Sequence, residues 1–323
     1  MSGYTEDYAI EVEGLRKAYP GHEALRGIDL KVPSGTVLGL LGPNGAGKTT
    51  TVRILATLLA PTAGRVRVAG YDVVRTPREV RRSIGLAGQY AAVDEVLTGR
   101  ENLVLIGTLL HLGRAGARRR ADELLERFGL TEASGRPAGT YSGGMRRRLD
   151  LASCMVGQPK VLFLDEPTTG VDPANRLGLW EAVRGLVAEG TTVLLTTQYL
   201  EEADALADRI VVIDGGRVAA EGTAKELKAR VGGQRLEIGL TDPAAIPRAT
   251  ALLREVAVGE ILTDERQGTV SLETDGGLDG LSATVARLRA HGIDVSEFAL
   301  RRPTLDEVFL HLTGDSAHEP AGV

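Results

Sequence analysis

The chain has 323 residues, a formal net charge of −5, 43% hydrophobic and 25% charged residues. That length allows two domains or one large domain with an appendage, and the composition is that of an ordinary globular protein. The acidic balance argues against a general nucleic-acid binder, and a single cysteine, Cys154, excludes an internal disulfide and fits a reducing compartment.

The N-terminal stretch MSGYTEDYAIEVEG is acidic, lacks an apolar segment and is not expected to act as a signal peptide. No apolar run approaches the ~20 residues a membrane helix needs, so work at a membrane would require another chain to cross it. Ile10, Val12, Ile28, Leu30 and Val32 alternate with polar residues and predict half-buried antiparallel strands. VLGLL, Val37 to Leu41, is a continuous apolar run that predicts a fully buried parallel strand. A glycine loop follows, then KTTTVRILATLLA with helical spacing, which PTAG (Pro61 to Gly64) is expected to stop.

From about Asp94 to Gln158 the pattern is helical: ENLVLIGTLLHL, RRRADELLERFGL, and MRRRLDLASCMV with Met145, Leu149, Ala152 and Val156 on one face. After Pro159 the parallel-strand pattern returns with VLFLD, TTVLLTT and RIVVI, separated by helices around 175–188 and 200–207. DGG, Asp214 to Gly216, predicts a hairpin turn. The alternation predicts an α/β fold, a wound parallel sheet with helices on its faces and a helical insertion at about 94–158. Beyond Gly232-Gly233 the order strand, helix, strand, strand, helix, strand suggests a small ferredoxin-like α+β domain over 232–313. TLDE, Thr304 to Glu307, reads as a capping box, and 314–323 as a flexible tail.

Gly42, Pro43, Asn44, Gly45, Ala46, Gly47, Lys48 and Thr49 match the P-loop pattern G-x-x-x-x-G-K-[ST], between a buried strand and a helix. Glycines let backbone N–H groups turn toward phosphates, and the helix N-terminus adds partial positive charge. Lys48 can reach the outer phosphates, and the Thr49 hydroxyl can ligate Mg²⁺. VLFLDEP supplies two carboxylates at a strand end: Asp165 to hold the Mg²⁺ shell, Glu166 to polarise water. Adjacent strand residues point to opposite sides, so the chain must bend there if both are to face one ligand.

YSGGMRRRLDLA poses a separate question. Ser142, Gly143 and Gly144 form a second glycine turn at a helix start, and thus a second anion site. Alone it would read as a helix N-cap. With its companions it resembles the signature motif of the ATP-binding-cassette ATPase family, usually written LSGGQ, with Tyr141 and Met145 at its outer positions. That resemblance covers about residues 8–230, and puts the nucleotide-binding domain at 1–231. It implies ATP and Mg²⁺ as ligands and a head-to-tail pair of chains, with Ser142, Gly143 and Gly144 of one meeting the γ-phosphate on the other's P-loop. It further implies adenine stacking by Tyr19, phosphate contact by Thr50, Mg²⁺ and water contact by Gln89, and a dimer contact by Asp172, beside Ser142 and Gly144. Where the family usually has histidine after the strand TTVLLTT, this chain has Gln198, a neutral donor and acceptor. That substitution and the ending RRPTLDEVFLHLTG resemble the daunorubicin-resistance type of drug-export ATPase.

The resemblance implies an ATPase subunit at the cytoplasmic face of the membrane, driving a separate integral-membrane permease for drug or hydrophobic-molecule efflux, with no nucleic-acid partner expected. The alternative from another class is a soluble ABC-type ATPase acting on ribosomes or nucleic acid. Such chains usually carry two cassettes or long coiled-coil arms, and this one shows one P-loop, one SGG and no sustained heptads. A GTPase switch is weaker still, since no NKxD-type base-reading motif is present. The basic runs Arg118–Arg120 and Arg146–Arg148 read as solvated helix faces, the sharper alternative being that the helical insertion presents charge to a membrane subunit.

Overall fold

The computed structural model describes residues 7–88, 93–231, 235–255, 257, 261–264, 268–273, 277–301 and 304–314. The chain divides into two compact units, up to Ala224 and from Lys225; the sequence placed this change at 231/232.

The first unit holds two sheets. Strands β1 (Tyr8–Tyr19), β2 (His22–Pro33), β4 (Ala63–Val68) and β5 (Tyr71–Asp72) form an antiparallel sheet in the order β2-β1-β4-β5. The alternating residues Ile10, Val12, Ile28, Leu30 and Val32 are all buried in it. The second sheet runs β10-β9-β3-β8-β7-β6 through β3 (Val37–Leu41), β6 (Ile84–Ala87), β7 (Val161–Asp165), β8 (Thr192–Thr197), β9 (Arg209–Asp214) and β10 (Arg217–Gly222). All neighbours are parallel except the β9–β10 hairpin, whose Gly215 and Gly216 both take positive φ, as a tight primed turn requires.

Side chains of this second sheet separate cleanly by face, as period-two strands must. Leu38, Leu40, Val161, Phe163 and Leu194 join one core with α1 (Lys48–Leu55) and the antiparallel sheet. Val37, Leu162, Leu164, Val193 and Leu195 join a second core with the helices α3 (Gly99–Leu109), α4 (Gly113–Arg127), α5 (Gly143–Cys154) and α6 (Pro173–Ala188). Both faces are covered, which is why these strands read as unbroken apolar runs. The helix α2 (Pro77–Ser83) precedes β6, and α7 (Leu200–Leu206) precedes β9.

Helix α1 stops well short of PTAG. Thr57 takes a left-handed φ of 62°, and Leu58 N–H closes back on the Arg53 carbonyl at 2.8 Å. This is the closure of a helix C-terminus, and it leaves Leu58 exposed. Gly64, inside PTAG, already lies in β4, at a place where a Cβ would meet the Gly14 carbonyl oxygen at 2.5 Å.

In the second unit, α8 (Ala224–Val231) is followed by β11 (Arg235–Leu240), α9 (Ile246–Leu253), β12 (Leu262–Asp264), β13 (Thr269–Glu273), α10 (Gly277–Ala290), β14 (Val295–Arg301) and α11 (Leu305–Gly314). Its antiparallel sheet has the order β12-β13-β11-β14, and Leu236, Ile238, Val270 and Leu272 pack with Ala249, Leu253 and Leu288 of α9 and α10. This is the arrangement of a ferredoxin-like sandwich. Thr304 and Glu307 exchange the two hydrogen bonds of a capping box at the start of α11. Apart from Gly314, the tail 314–323 lies outside the described residues.

Candidate active site

The registers Leu41–Thr197 and Asp165–Thr196 bring the ends of β3, β8 and β7 level. The loops that follow, beginning at Gly42, Gln198 and Glu166, therefore share one edge of the sheet. That carboxyl edge is where open α/β sheets bind ligands.

Gly42 to Gly47 form the loop from β3 to α1. Gly47 has φ 111°, and a Cβ there would lie 2.5 Å from Leu25 Cδ2 and 2.9 Å from the Ala24 carbonyl oxygen. A Cβ on Gly42 would meet the Ile213 carbonyl oxygen at 2.2 Å. Only glycine fits either position, and the loop is held against β2 and β9 with Asn44 and Gly45 exposed on its rim and Pro43 half-buried. Ala46 is buried and its N–H donates to the Pro43 carbonyl. Lys48 is 5% exposed and its ammonium donates to the carbonyls of Gly42 at 2.6 Å and Pro43 at 3.1 Å. Burial pulls its pKa below the ordinary lysine value, against the opposing attraction of Glu166 and Asp165. A desolvated ammonium whose hydrogen bonds run to neutral carbonyls is suited to an anion brought from outside.

Asp165 Oδ1 accepts from Thr196 at 2.6 Å and from Thr49 at 3.3 Å. The paired hydroxyl and carboxylate are hard oxygen donors, the chemistry Mg²⁺ selects. Among the described residues no three His, Cys, Asp or Glu side chains gather to hold a metal by themselves. A cation here would depend on water and phosphate oxygens as well, as Mg²⁺ at nucleotide sites commonly does. The bend required after VLFLD is present: Glu166 takes φ 52°, with its N–H donating to the Thr196 carbonyl at 3.0 Å. Left-handed backbone at a glutamate costs about 1–2 kcal/mol, and it turns Glu166 out of the strand's alternation. Gln198 is exposed, in a turn closed by the Tyr199 N–H donating to the Thr197 hydroxyl at 2.9 Å.

The second glycine turn sits elsewhere. Ser142 caps α5, its hydroxyl accepting from the Met145 N–H at 3.3 Å, while Ser142 and Gly143 are exposed. Gly144 is buried against Asn175, in the first turn of α6, and Asp172 caps that helix by accepting from the Asn175 N–H at 3.0 Å. Tyr141, in place of the usual leucine, is core: its hydroxyl donates to the Ala133 carbonyl at 2.8 Å, and Gly99 makes room for it. Helix α1 packs on β2, β4 and β7, whereas α5 packs on α3, α4, α6 and β6. The two cradles thus belong to opposite faces of one sheet.

Thr50 is half-buried in the first turn of α1. Tyr19 ends β1, 42% exposed, with the Lys17 ammonium 5.2 Å from its ring centre. Two residues before it, Lys17 pairs with Leu25, the residue that abuts Gly47. Gln89 lies outside the described residues.

The basic run on α5 is not a solvated face. Arg146 pairs with Glu95, and Arg148 donates to the Phe128 carbonyl. The Arg147 side chain, 11% exposed, pairs with buried Asp150 and donates to the carbonyls of Pro167 at 2.7 Å and Gly88 at 2.8 Å. It joins the loops after β7 and β6 to α5, a role no local pattern announces. Arg118 and Arg119 are exposed, as expected, but Arg120 reaches the Met155 carbonyl.

Residues 25–169 match the family described as ABC transporter, and 222–313 match the ATP-binding protein DrrA1-3-like, C-terminal domain. The chain is 58% identical to the daunorubicin resistance ATP-binding protein DrrA3 of Streptomyces coeruleorubidus, over 96% of this chain and 97% of that one. It belongs to the DrrA-type ATP-binding proteins of the ABC transporter family. Like that family it is an ATPase, and ATP is its nucleotide. Another DrrA-type relative, the daunorubicin/doxorubicin resistance ATP-binding protein DrrA of Streptomyces peucetius, is 53% identical over 96% of this chain and 94% of its own. The linearmycin resistance ATP-binding protein LnrL of Bacillus subtilis is 34% identical over 94% and 98%. Among solved structures, an ATP-binding subunit of an ABC transporter superposes with TM-score 0.62 at 29% identity, covering 69% of this chain and 92% of its own. A nucleotide-free ATP-binding cassette gives TM-score 0.62 at 26% identity, over 69% and 94%. The DrrA-type chain thus adds a C-terminal unit to the cassette fold.

Proposed function

We propose that two copies of this chain pair head to tail around two molecules of Mg²⁺-ATP and power a separate integral-membrane permease that exports drugs or similar hydrophobic molecules. In each composite site one chain supplies Gly42 to Thr50, Asp165, Glu166, Gln89 and Gln198, with Tyr19 against the adenine. The other supplies Ser142, Gly143 and Gly144, with Asp172 at the interface.

The observation that carries this reading is the placement of the two cradles. The P-loop helix and the Ser142 helix are anchored in different cores on opposite faces of one sheet. Ser142 and Gly143 stand exposed with their helix N-terminus open to an anion from outside the chain. ATP filling both shared sites would bias open and closed pairs by differential affinity.

A membrane partner is supported by two features. Among the described residues no helix is long and apolar enough to cross a membrane. The insertion also exposes Leu105, Leu109, Leu110 and Leu112 along α3 and the turn after it, a strip suited to an apolar helix from a partner. The chain would then sit peripherally at the cytoplasmic face. Drug export follows from the names of the resistance proteins it resembles.

Complementation tests the shared site. Lys48→Ala and Ser142→Arg chains are each expected to be inactive alone. Mixed at equal amounts they form about half heterodimers, each with one intact site, so hydrolysis returns in part. No activity at any ratio, together with a Glu166→Gln chain that stays monomeric in ATP by light scattering, would end the reading.

A further inference from the structure

One polar group in the core is used by none of the chemistry above. Glu202, in the first turn of α7, is fully buried. Its Oε1 accepts from the indole N–H of Trp180 on α6 at 3.2 Å. Thr168 and Thr197 neighbour the same carboxyl, the Thr197 hydroxyl also accepting from the Tyr199 N–H at 2.9 Å. Thr168 is also fully buried, and neither its Oγ1 nor Glu202 Oε2 completes a well-aligned hydrogen bond. A leucine in such a place would pack at lower desolvation cost, so a retained carboxyl points to a task other than stability.

The three partners identify the task. Thr168 lies two residues after Glu166, and Thr197 immediately precedes Gln198. Trp180 belongs to the helix that Asp172 caps. One turn before Trp180, Arg176 lies with its guanidinium 4.8 Å from the ring centre of Tyr199, the residue after Gln198, and 3.8 Å from Glu201. Helix α6 therefore grips the start of α7 at two levels.

We propose that Glu202 is a positioning residue for hydrolysis: one buried carboxyl fixes both the segment that carries Glu166 and the turn that carries Gln198, and ties them to the Asp172 helix. The neutral Gln198 has no charge to orient it, so its placement falls to the turn between Thr197 and Tyr199. Burial raises the Glu202 pKa, with the Trp180 hydrogen bond, the neighbouring hydroxyls of Thr197 and Thr168 and the Arg176 charge pulling the other way. In its neutral form the acid offers a donor and an acceptor, as a glutamine amide does. The inference rests on the assignment of Glu166 and Gln198 to hydrolysis.

Steady-state ATPase kinetics on the full chain test it. Glu202→Ala is expected to lower kcat about 10- to 100-fold, the cost of misplacing catalytic groups, with KM for ATP within about twofold. Glu202→Gln should keep kcat within about threefold of wild type, because it preserves the hydrogen-bonding pattern. Trp180 is the chain's only tryptophan, so its fluorescence reports on this node, and the emission should shift in Glu202→Ala. Wild-type kcat in Glu202→Ala, an unchanged emission spectrum, or a Glu202→Gln chain as slow as Glu202→Ala would each overturn the proposal. If Glu202→Ala fails to fold, Thr168→Val carries the same expectation at constant shape, and its full activity would likewise overturn it. Glu166→Gln run alongside separates the failures. If it turns over normally, the assignment of Glu166 has failed; if it is dead while Glu202→Ala is normal, only the role of Glu202 has.

Discussion

Gly144 and Asn175 are packed so closely that a Cβ on the glycine would lie 2.3 Å from the Asn175 amide carbon. Asn175 cannot easily retreat, because its Nδ2 donates to Asp172 Oδ2 at 2.6 Å and its N–H to Oδ1. The second glycine of the SGG turn is thus required within the chain, by the contact between α5 and α6, whatever the turn meets in a partner. Gly144→Ala should cost about 1–3 kcal/mol by overpacking, read as a lower Tm, and should displace Asp172. Asn175→Ala, by removing the obstacle, should recover most of that loss in the double variant. Additive losses in the double-mutant cycle would show that the two residues do not constrain one another.

Lys48 sets stability against binding. Its lowered pKa means that the folded chain holds this proton less tightly than the unfolded chain does. The resulting penalty is complete below the folded pKa and is relieved as pH rises toward the unfolded value. Lys48→Met removes the buried cation, so the nucleotide-free chain at pH 7 should melt higher, by roughly 2–4 °C for each kcal/mol recovered. The same variant should lose the stabilisation that ATP gives the wild type, about 2.7 kcal/mol at one hundred times Kd. Differential scanning calorimetry with and without ATP reads both. A variant that melts lower and still responds to ATP would contradict the burial argument and the P-loop assignment together.

What the sequence revealed and what it hid divide by range. The P-loop is contiguous, and its crowded glycines Gly42 and Gly47 are demanded by local geometry, so its string was readable with its strand and helix. Asp165 and Glu166 were readable because a buried strand cannot end in two carboxylates without reason. The left-handed Glu166 that reconciles them was foreseen only as a bend. Strands β4 and β5 and helix α2 went unread, since two to seven residues hold too little periodicity, and β4 takes its register from β1. The early end of α1 turns on the conformation of Thr57, which no pattern marks. Arg147 and Glu202 were the least legible of all. Each looks like a surface charge on a helix, and only contacts at 20 or more residues' separation show otherwise.

Cys154 is predicted to be inert in the folded chain. Burial pushes its thiol up to about 12, with Asp150 adding to the shift and Arg147 opposing it. At pH 8 the thiolate that reacts with disulfide or alkylating reagents is then on the order of one part in ten thousand. A thiol titration should find essentially no reaction in native buffer and one equivalent in denaturant. Rapid native modification would mean that the β6 face of α5, where Cys154 packs against Gly85, opens readily.

Gln198 gives the sharpest pH prediction. It stands at the carboxyl edge of β8, level with the P-loop and Asp165, and its amide can donate to a phosphate oxygen and accept from water without titrating. Turnover of the wild type should therefore carry no ionisation from this position. Gln198→Ala should lower kcat about 10- to 100-fold while leaving KM for ATP nearly unchanged, because the contact tightens only as charge develops. Gln198→His should retain activity and introduce a new pH dependence with an apparent pKa near ~6.5, set by the imidazole. The pH–rate profiles of the three chains distinguish these outcomes. An identical profile for Gln198→His and wild type, together with full activity in Gln198→Ala, would remove Gln198 from the reaction and leave the proposed role in positioning water to Glu166.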